Sequence, residues 1–396
     1  MLKMVYFFLF ALLNVYIIVR MLKWFESCGE VFKLKRFKIS YAIVMGLLGS
    51  LPIIAFYLQR EGTQRHILYF SSHWFGIFFY IVFYVAMADL VWLVLKLVKK
   101  DPKEHFVRSR FIFRGGLVVI ALIVATSTYG FINMRDIKTK NYAVTIAKST
   151  PGRDGLRIAL VADQHLGYTI GVRDMQKMVE KINEANPDVV CFSGDIFNNN
   201  FDALDDAQGI LEAFSSIKST YGVYSCWGNH DVEEPLFSGF SVDKRSEAIR
   251  DPRMEEFLKS AGFHLLEDND MLINDEFYIV GRLDYQKAGD GTNNRKSIVE
   301  LTKDMDKSKP IILLDHQPRE FDEIEAAGVD LDLSGHTHAG QIFPMNLTNE
   351  LTWKNGYGLM EIGKLTSIVT SGIGVYGPAM RTFTDSEVVI IDVTFQ

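Results

Sequence analysis

Four long apolar stretches dominate the first third of the chain and strongly restrict how it can fold. They cover residues 4–19, 41–58, 67–95 and 116–134. A helix needs roughly 20 apolar residues to cross a hydrocarbon core ~30 Å thick. Trp, Tyr and Phe are abundant in these stretches, as they are at membrane interfaces. The stretches therefore predict an α-helical four-span membrane anchor over residues 1–136 rather than the core helices of a soluble domain.

Charge changes sign at the same boundary. Residues 1–136 carry 17 Lys+Arg and 7 Asp+Glu, a net of +10, whereas residues 137–396 carry 25 and 41, a net of −16. The total of −6 conceals this difference. A basic half against a membrane accounts for the asymmetry. The acidic larger half argues against a protein that binds nucleic acid, and no nucleic-acid partner is expected.

The basic residues between the apolar stretches predict an orientation. The loop after the first stretch holds six Lys or Arg residues and the loop after the third holds seven, whereas the second loop holds only Arg60 and Arg65. The positive-inside rule places the first and third loops in the cytoplasm. A multi-pass cell membrane protein is therefore expected, with everything after Met134 on the extracytoplasmic side. Asp89, inside the third stretch, is either a functional carboxylate or a structurally paired one.

Short apolar runs alternate with helical patterns after a predicted linker at residues 137–155. LRIALVA, DVVCFSG and GVYSCWG begin at residues 156, 188 and 222 and are typical of buried strands, with amphipathic helices between them. PIILLD and DLDLSG follow, and TSIVTSG and EVVIIDVTF close the chain as strands expected to be antiparallel. This alternation indicates an α/β domain with a largely parallel sheet over residues 156–396.

Polar residues with metal-binding side chains come directly after these strands, where open α/β sheets bind ligands. Five of the nine histidines lie in these loops, which read Asp163-Gln164-His165, Gly194-Asp195, Gly228-Asn229-His230-Asp231, His316 and Gly335-His336-Thr337-His338. Carboxylate, carboxamide and imidazole suit Mn, Fe or Zn. The three cysteines form no CxxC pair, so no thiolate zinc site is expected.

The ordered series D-x-H, GD, GNHD, H and GHTH resembles the calcineurin-like metallophosphoesterase superfamily over about residues 156–396. SGHTHAGQ and GIGVYGPAMR are similar to its membrane-anchored branch, which contains YkuE-like phosphoesterases and transmembrane proteins with a metallophosphoesterase domain. The resemblance implies a four-layer αββα sandwich that carries two divalent metal ions. It also implies a metal-dependent phosphoric ester hydrolase.

The same resemblance implies a role for each loop residue. One metal would be held by Asp163, His165 and His338, the other by Asn229, His316 and His336, and Asp195 would bridge both. His230 would contact the phosphate or protonate the leaving oxygen. Asp231 would orient His230, as a carboxylate behind a functional histidine does.

Residues near the C-terminus suggest how a substrate is bound. Arg381 is either a bidentate phosphate ligand or a structural arginine. A set of large side chains either forms an apolar wall beside the site or packs ordinary loops; it comprises Phe343, Trp353, Tyr357, Met360 and Tyr376. A wall of this kind would favour an acyl-bearing substrate.

Three functions are compatible with these patterns. The leading hypothesis is a membrane-anchored phosphoesterase, for example a manganese-dependent phosphodiesterase. It would hydrolyse a phosphomonoester, phosphodiester or pyrophosphate bond by metal-activated hydroxide, on a small-molecule, envelope or lipid-linked substrate. The alternative is a non-catalytic membrane sensor or scaffold that binds a phosphorylated ligand. A transporter built on the four spans is weaker, because Asp89 is its single acidic intramembrane candidate.

Overall fold

The computed structural model describes residues 2–57, 65–98, 105–237, 240–241, 248–292 and 294–396. The chain forms two compact units. The first comprises residues 1–131 together with 235–243 and 377–379, and the second comprises residues 132–234, 244–376 and 380–396. Some predictions fall on residues outside the described ranges. They concern the end of the second span at Leu58 and four of the basic loop residues used for the orientation, which are Arg60, Lys99, Lys100 and Lys103.

Four helices form most of the first unit. They are α1 (Leu2–Cys28), α2 (Lys35–Tyr57), α3 (Arg65–Val98) and α4 (His105–Asn133). At 1.5 Å per residue even the 23-residue α2 is about 35 Å long, enough for a ~30 Å hydrocarbon core. All four contain a window apolar enough to cross a membrane, so the predicted four-span region is confirmed in helix content and hydropathy. A cluster that includes Phe10 and Phe78 packs these helices together.

Asp89 is paired with two residues of another helix. The Tyr16 hydroxyl donates a hydrogen bond to Asp89 Oδ2 at 2.7 Å, and the Arg20 guanidinium forms an ion pair with Asp89 Oδ1. Because a carboxylate within a span is costly without a partner, these contacts supply a structural reason for Asp89. They join α1 to α3.

Two six-stranded sheets form the centre of the second unit. The first has the order β1 (Ile137–Ile146), β14 (Ser386–Phe395), β2 (Gly155–Val161), β3 (Val189–Ser193), β4 (Val223–Cys226) and β7 (Phe263–Leu265). The second has the order β12 (Gly358–Ile362), β13 (Leu365–Val369), β11 (Leu331–Ser334), β10 (Ile311–Leu314), β9 (Phe277–Gly281) and β8 (Asn269–Ile273). The short strands β5 (Leu236–Phe237) and β6 (Phe240–Ser241) belong to the first unit.

Helices cover the outer faces of the two sheets. They are α5 (Val172–Ala185), α6 (Ala207–Ser215) and α7 (Pro252–Ser260) beside the first sheet, and α8 (Ile298–Thr302) and α9 (Phe321–Ala326) beside the second. Between the sheets lies a single buried cluster to which both contribute, with Ile158 and Cys191 from one and Ile312 and Leu333 from the other. The predicted αββα layering is therefore confirmed.

Two predictions about strands are wrong. Residues 137–155 were expected to be a linker, but β1 occupies ten of them and pairs in parallel with β14 along its whole length. The TSIV segment was expected to be antiparallel, but β13 is parallel to β11 and antiparallel only to β12. In both cases the partner strand is set by tertiary pairing, which the period of a single segment does not specify.

Asp332, on β11, is a buried carboxyl group outside the predicted ligand loops. Its Oδ2 accepts hydrogen bonds from the hydroxyls of Ser334 at 3.1 Å and Ser367 at 3.0 Å. Burial, reinforced by the charge of Asp315, raises the pKa of Asp332 to about 8. The group is therefore mostly protonated in the folded chain at neutral pH.

This raised pKa makes stability depend on pH. The unfolded chain loses the proton near pH 3.8, so the folded chain binds more protons between about pH 4 and 8 and its stability falls as pH rises. Asp332→Asn keeps an acceptor for both hydroxyls and does not ionise. We expect it to stabilise the chain by roughly 2–4 kcal/mol at pH 7 and negligibly near pH 4. Thermal melting at both pH values, with exposed Asp304→Asn as control, measures this; an equal shift at both pH values would contradict it.

Candidate metal centre

The predicted ligand loops follow five neighbouring strands. Strands β2, β3 and β4 are mutually parallel in one sheet, and β10 is parallel to β11 in the other. Parallel strands bring their carboxyl ends to one edge of a sheet. The loops that leave these ends carry Asp163 and His165, Asp195, Asn229 and His230, His316, and His336 and His338.

Several of these residues have an uncommon backbone conformation. Asp163, His165, Asp195, His336 and His338 all have positive φ, between 47° and 71°. This left-handed region is sparsely populated by residues other than glycine, and such strain is concentrated at functional sites. The loops therefore turn sharply as they leave the strands and direct these side chains to one place.

Glycines let neighbouring backbone approach the two carboxylates closely. A Cβ atom added to Gly228 would lie 2.2 Å from Asp195 Oδ1, and one added to Gly335 would lie 2.4 Å from Asp163 Oδ2. Either approach is too close for any larger residue without displacement of the carboxylate. The glycines of GNHD and SGHTH are thus needed at these positions for space.

Asp163, His165 and His338 form one group of metal-binding side chains. His165 Nε2 lies 3.0 Å from His338 Nε2, and His338 Nε2 lies 3.4 Å from Asp163 Oδ1. All three side chains are buried. Burial lowers the pKa of His165 to about 4, so its imidazole is neutral, as metal binding requires.

Asp195, His316 and His336 form a second group beside the first. His316 Nδ1 contacts the backbone carbonyl of Ser193 at 2.8 Å, which leaves Nε2 directed to Asp195 Oδ2 at 3.1 Å. The same Asp195 Oδ2 lies 3.7 Å from His165 Nε2 of the first group. One carboxylate oxygen therefore faces both groups, as expected for a bridging ligand.

Buried polar atoms support the presence of metal ions. Among the described residues Asn229 Oδ1 and His165 Nδ1 are buried and have no hydrogen-bond partner. A buried acceptor without a partner is costly, and a bound cation would remove that cost for Asn229. Burial also lowers the pKa of His336 to about 3, leaving that imidazole neutral. The oxygen and nitrogen donors together fit two divalent ions of the Mn, Fe or Zn type.

His230 is oriented by Asn199 and not by Asp231. His230 Nδ1 lies 2.5 Å from Asn199 Oδ1, while the Asp231 carboxylate accepts the backbone N–H groups of Phe197 and Gly228 at 2.7 and 2.8 Å. The predicted role of Asp231 is therefore corrected: it fixes the backbone of two ligand loops. Sequence patterns did not identify Asn199, because no motif distinguishes it from the neighbouring asparagines of NNN.

The tautomer of His230 follows from this contact. An amide oxygen only accepts, so Nδ1 carries the proton and Nε2 is left to exchange protons. The amide nitrogen of Asn199 donates to Val232 O at 3.1 Å and to Glu234 Oε1 at 3.3 Å, and Glu234 forms an ion pair with Lys287. These contacts fix which way the Asn199 amide points.

Asn199→Ala provides a test of this arrangement. The family resemblance predicts that His230 protonates the leaving oxygen of a phosphoester. On that prediction we expect turnover of an alkyl phosphodiester to fall about 10–100-fold when the ring of His230 loses its orienting contact. A p-nitrophenyl ester, whose leaving group needs no proton, should be affected much less. Asn198→Ala is the matched control, and metal content is measured in both variants. Equal losses on both substrates, or loss of metal, would contradict the orienting role.

Arg381 supports the site from behind, with its Nη2 3.2 Å from Nδ1 of His338. Its side chain is fully buried, and its guanidinium donates to the carbonyl oxygens of Ser371, Gly372, Gly374 and His338. The prediction that it binds a substrate phosphate is therefore corrected in favour of the structural alternative. The guanidinium holds together the loop that follows β13 and the loop that carries His338.

A cavity of about 260 Å³ opens onto the metal-binding residues. Four imidazoles line it, together with Asp195, Trp353, Tyr376 and the helix α10 (Met345–Thr352). Of the predicted wall, Trp353 and Tyr376 line the cavity. Phe343 packs against Phe383, the Tyr357 hydroxyl donates to Glu387, and Met360 lies on the edge strand β12.

Comparison with known proteins identifies the domain. The model of the calcineurin-like phosphoesterase family matches residues 156–340, the stretch that contains every predicted ligand. Residues 156–340 are a calcineurin-like phosphoesterase domain. The family normally binds two divalent metals, in agreement with the two ligand groups.

Several similar proteins match more of the chain than the catalytic domain alone. An uncharacterized metallophosphoesterase of Campylobacter jejuni is 27% identical over 97% of this chain and 96% of its own length. A transmembrane protein with metallophosphoesterase domain from Danio rerio is 27% identical over 86% of this chain and 76% of its own. The metallophosphoesterase YkuE of Bacillus subtilis is 24% identical over 74% of this chain and 98% of its own. With its four apolar helices, the chain is a membrane protein.

Proposed function

We infer that the chain is a membrane-anchored phosphoesterase with a dinuclear metal centre, which hydrolyses a phosphomonoester, phosphodiester or pyrophosphate. The observation that carries this proposal is the position of Asp195 Oδ2, which faces His316 at 3.1 Å and His165 at 3.7 Å, one from each ligand group. A carboxylate shared between two donor sets is the arrangement that keeps two cations close together.

The residues of the chain divide the work of hydrolysis. When bound, two dications would supply an activated water and would neutralise charge on the phosphoryl oxygens. Asp163, Asp195 and Asn229 contribute the oxygen donors, and the loop glycines hold the carboxylates in place. His230 lines the cavity, and its doubly protonated ring would donate the Nε2 proton to the leaving oxygen and regain a proton from water, with Asn199 keeping the ring in one orientation.

We propose that the substrate is a phosphorylated molecule of the membrane or envelope. We also propose that the catalytic domain lies outside the cytoplasm. The charge asymmetry between the loops of the anchor supports the orientation. The anchor itself, which keeps the domain at a bilayer, supports a lipid-linked substrate. Protease treatment of intact spheroplasts tests the side: cleavage of the catalytic domain is expected, and protection until lysis would overturn the placement.

A substrate panel tests the activity itself. The purified full chain, loaded in turn with Mn²⁺, Fe²⁺ and Zn²⁺, is offered an aryl monoester, an aryl diester and a pyrophosphate. Hydrolysis of at least one class is expected, and it should be lost in His230→Ala. If the chain binds two metals yet hydrolyses none of the three substrates, the result would favour the alternative, a non-catalytic membrane sensor that binds a phosphorylated ligand.

A further inference from the structure

Arg319 stacks on two aromatic rings close to the metal centre. Its guanidinium carbon lies 4.4 Å from the centre of the Trp353 ring and 5.2 Å from the centre of the Tyr285 ring. The arginine and Trp353 are both half-buried. Cation–π attraction favours a guanidinium over an aromatic face, so the two rings restrict where this cation can move.

A hydrogen bond from the residue after a metal-binding histidine fixes Arg319 further. Gln317, which follows His316, is fully buried. Its Nε2 donates to Asp284 Oδ2 at 2.9 Å, and its Oε1 accepts Arg319 Nε at 3.2 Å. The amide cannot exchange its two ends without losing both contacts. The Nε donor of Arg319 is therefore used, whereas its two Nη groups have no acceptor among the residues that the structure describes.

No carboxylate of the described residues lies within ion-pair distance of Arg319, which sets it apart from other stacked arginines. Four others stack on aromatic rings and are each also paired with a carboxylate: Arg153, Arg250, Arg253 and Arg295. Glu320, next to Arg319 in sequence, has a left-handed φ of 55°. Its carboxylate pairs instead with Arg282 and Arg295.

The stacked Trp353 connects Arg319 to the metal-binding residues. Trp353 lines the cavity described above, and the centre of its ring lies 5.1 Å from that of His336. Together the two ring distances place the Arg319 guanidinium within about 10 Å of the His336 imidazole. A ligand held by the metal centre is therefore within reach of this guanidinium if it extends by one further polar group.

The charge of Arg319 is unusual for its surroundings. Residues 137–396 carry a net charge of −16, so carboxylates are abundant in this unit. An arginine without one, close to two sites for dications, adds like charge to like charge and raises the energy of the empty site. An anion between the arginine and the metals removes that cost. The planar guanidinium fork matches the two oxygens of a phosphate or carboxylate group.

We propose that Arg319 determines specificity by binding a second anionic group of the substrate, a phosphate or a carboxylate that neighbours the phosphoryl group held by the metals. Its Nη groups donate to the oxygens of that second group, while Gln317 and Trp353 hold the guanidinium in place. The chain thereby selects substrates with two neighbouring anionic groups over substrates with one. This inference rests on the proposed phosphoesterase function for its substrate, but the binding preference can be measured without turnover.

Calorimetric titration with compounds that cannot be hydrolysed tests the preference. The full chain in detergent, saturated with Mn²⁺, is titrated with methylphosphonate, which has one anionic group. It is then titrated with phosphonoacetate and with methylenediphosphonate, whose second group is a carboxylate or a phosphonate. The ratio of the Kd of methylphosphonate to that of each longer compound is taken within each variant. We expect the native chain to prefer at least one longer compound, and the one preferred identifies the second group.

Arg319→Gln should lower this ratio about tenfold or more, because charge-assisted hydrogen bonds to the second group are lost. Arg319→Met keeps an apolar side chain against the two rings and should lower the ratio equally. Arg173→Gln, at an exposed position on α5, is the matched control and should keep the native ratio. Melting temperatures of all variants are measured to verify that each is folded.

Three results would overturn the role of Arg319. They are a native chain that prefers neither longer compound, a ratio that Arg319→Gln or Arg319→Met leaves unchanged, and an equal weakening of all three compounds. Equal weakening would mean that Arg319 acts only by supporting Trp353.

The hydrolysis panel separates this inference from the proposed function. Hydrolysis by a chain without the preference would retain the phosphoesterase function and overturn the role of Arg319. An Arg319-dependent preference in a chain that hydrolyses none of the panel would retain the anion site and overturn the phosphoesterase function.

Discussion

Asp195→Asn is expected to lower phosphoester hydrolysis by at least about 10³-fold, equivalent to about 4 kcal/mol of transition-state stabilisation. The reason is the position of the carboxylate, whose Oδ2 faces a histidine of each ligand group. An amide in its place removes the negative charge that offsets the repulsion between two dications. The His230 backbone N–H, which donates to Asp195 Oδ1 at 2.7 Å, would keep an acceptor.

Two measurements separate this effect from a general loss of structure. Metal content by mass spectrometry should fall from two ions toward one, and the melting temperature in the presence of excess chelator should match that of the native chain. Asp304→Asn, at an exposed position beside Lys303, is the control and should retain both activity and metal. Full activity with two ions bound in Asp195→Asn would refute the bridging role.

Removal of metal from the native chain should have a comparable effect on activity and an additional one on stability. Chelation is expected to lower hydrolysis by at least about 10³-fold, because the bound metals are the proposed source of the activated water. Asp163 and Asp195 are almost completely buried, so the folded chain binds metal far better than the unfolded one. A free metal concentration 100 times Kd should then add about 2.7 kcal/mol of stability for each site.

Thermal melting with and without chelator measures this contribution, and readdition of Mn²⁺ or Zn²⁺ should restore both stability and activity. The same treatment of Asp195→Asn should shift melting less, since that variant binds less metal at the outset. A chelated chain proven free of metal that still hydrolyses the substrate would contradict the whole assignment of the centre.

Much of this architecture was predictable because its signals are local. Each span is a continuous apolar stretch, and the length required is set by bilayer thickness. Each ligand loop follows directly on a short apolar strand, and parallel strands carry such loops to a common edge. The family resemblance of the ordered loops predicted one ligand set of Asp163, His165 and His338, and a second of Asn229, His316 and His336 with Asp195 as a bridge. The structure brings together Asp163, His165 and His338, and beside them Asp195, His316 and His336.

Strand β1 shows where local signals fail. Its sequence is IKTKNYAVTI: all four residues after the first isoleucine are polar or charged, and six of the ten residues are exposed. The segment is a strand because β14 pairs with it through ten residues from the opposite end of the catalytic unit. An edge strand gains its hydrogen bonds from a partner and needs little apolar character of its own.

The contacts that orient the metal-binding residues and His230 were even harder to predict from sequence than strand β1, because they join residues that are distant along the chain. Asn199 lies 31 residues from His230 in sequence and yet contacts its imidazole, while the adjacent Asp231 turns away toward backbone amides. Arg381 ends the motif GIGVYGPAMR, which suggested phosphate binding, but its guanidinium donates hydrogen bonds to backbone carbonyls. Residue type and spacing specify which groups can act as donors or ligands. The left-handed turns and close glycine contacts of the folded loops decide which donor meets which acceptor. A hydrogen bond forms only where its two atoms lie within about 3 Å of each other and in line.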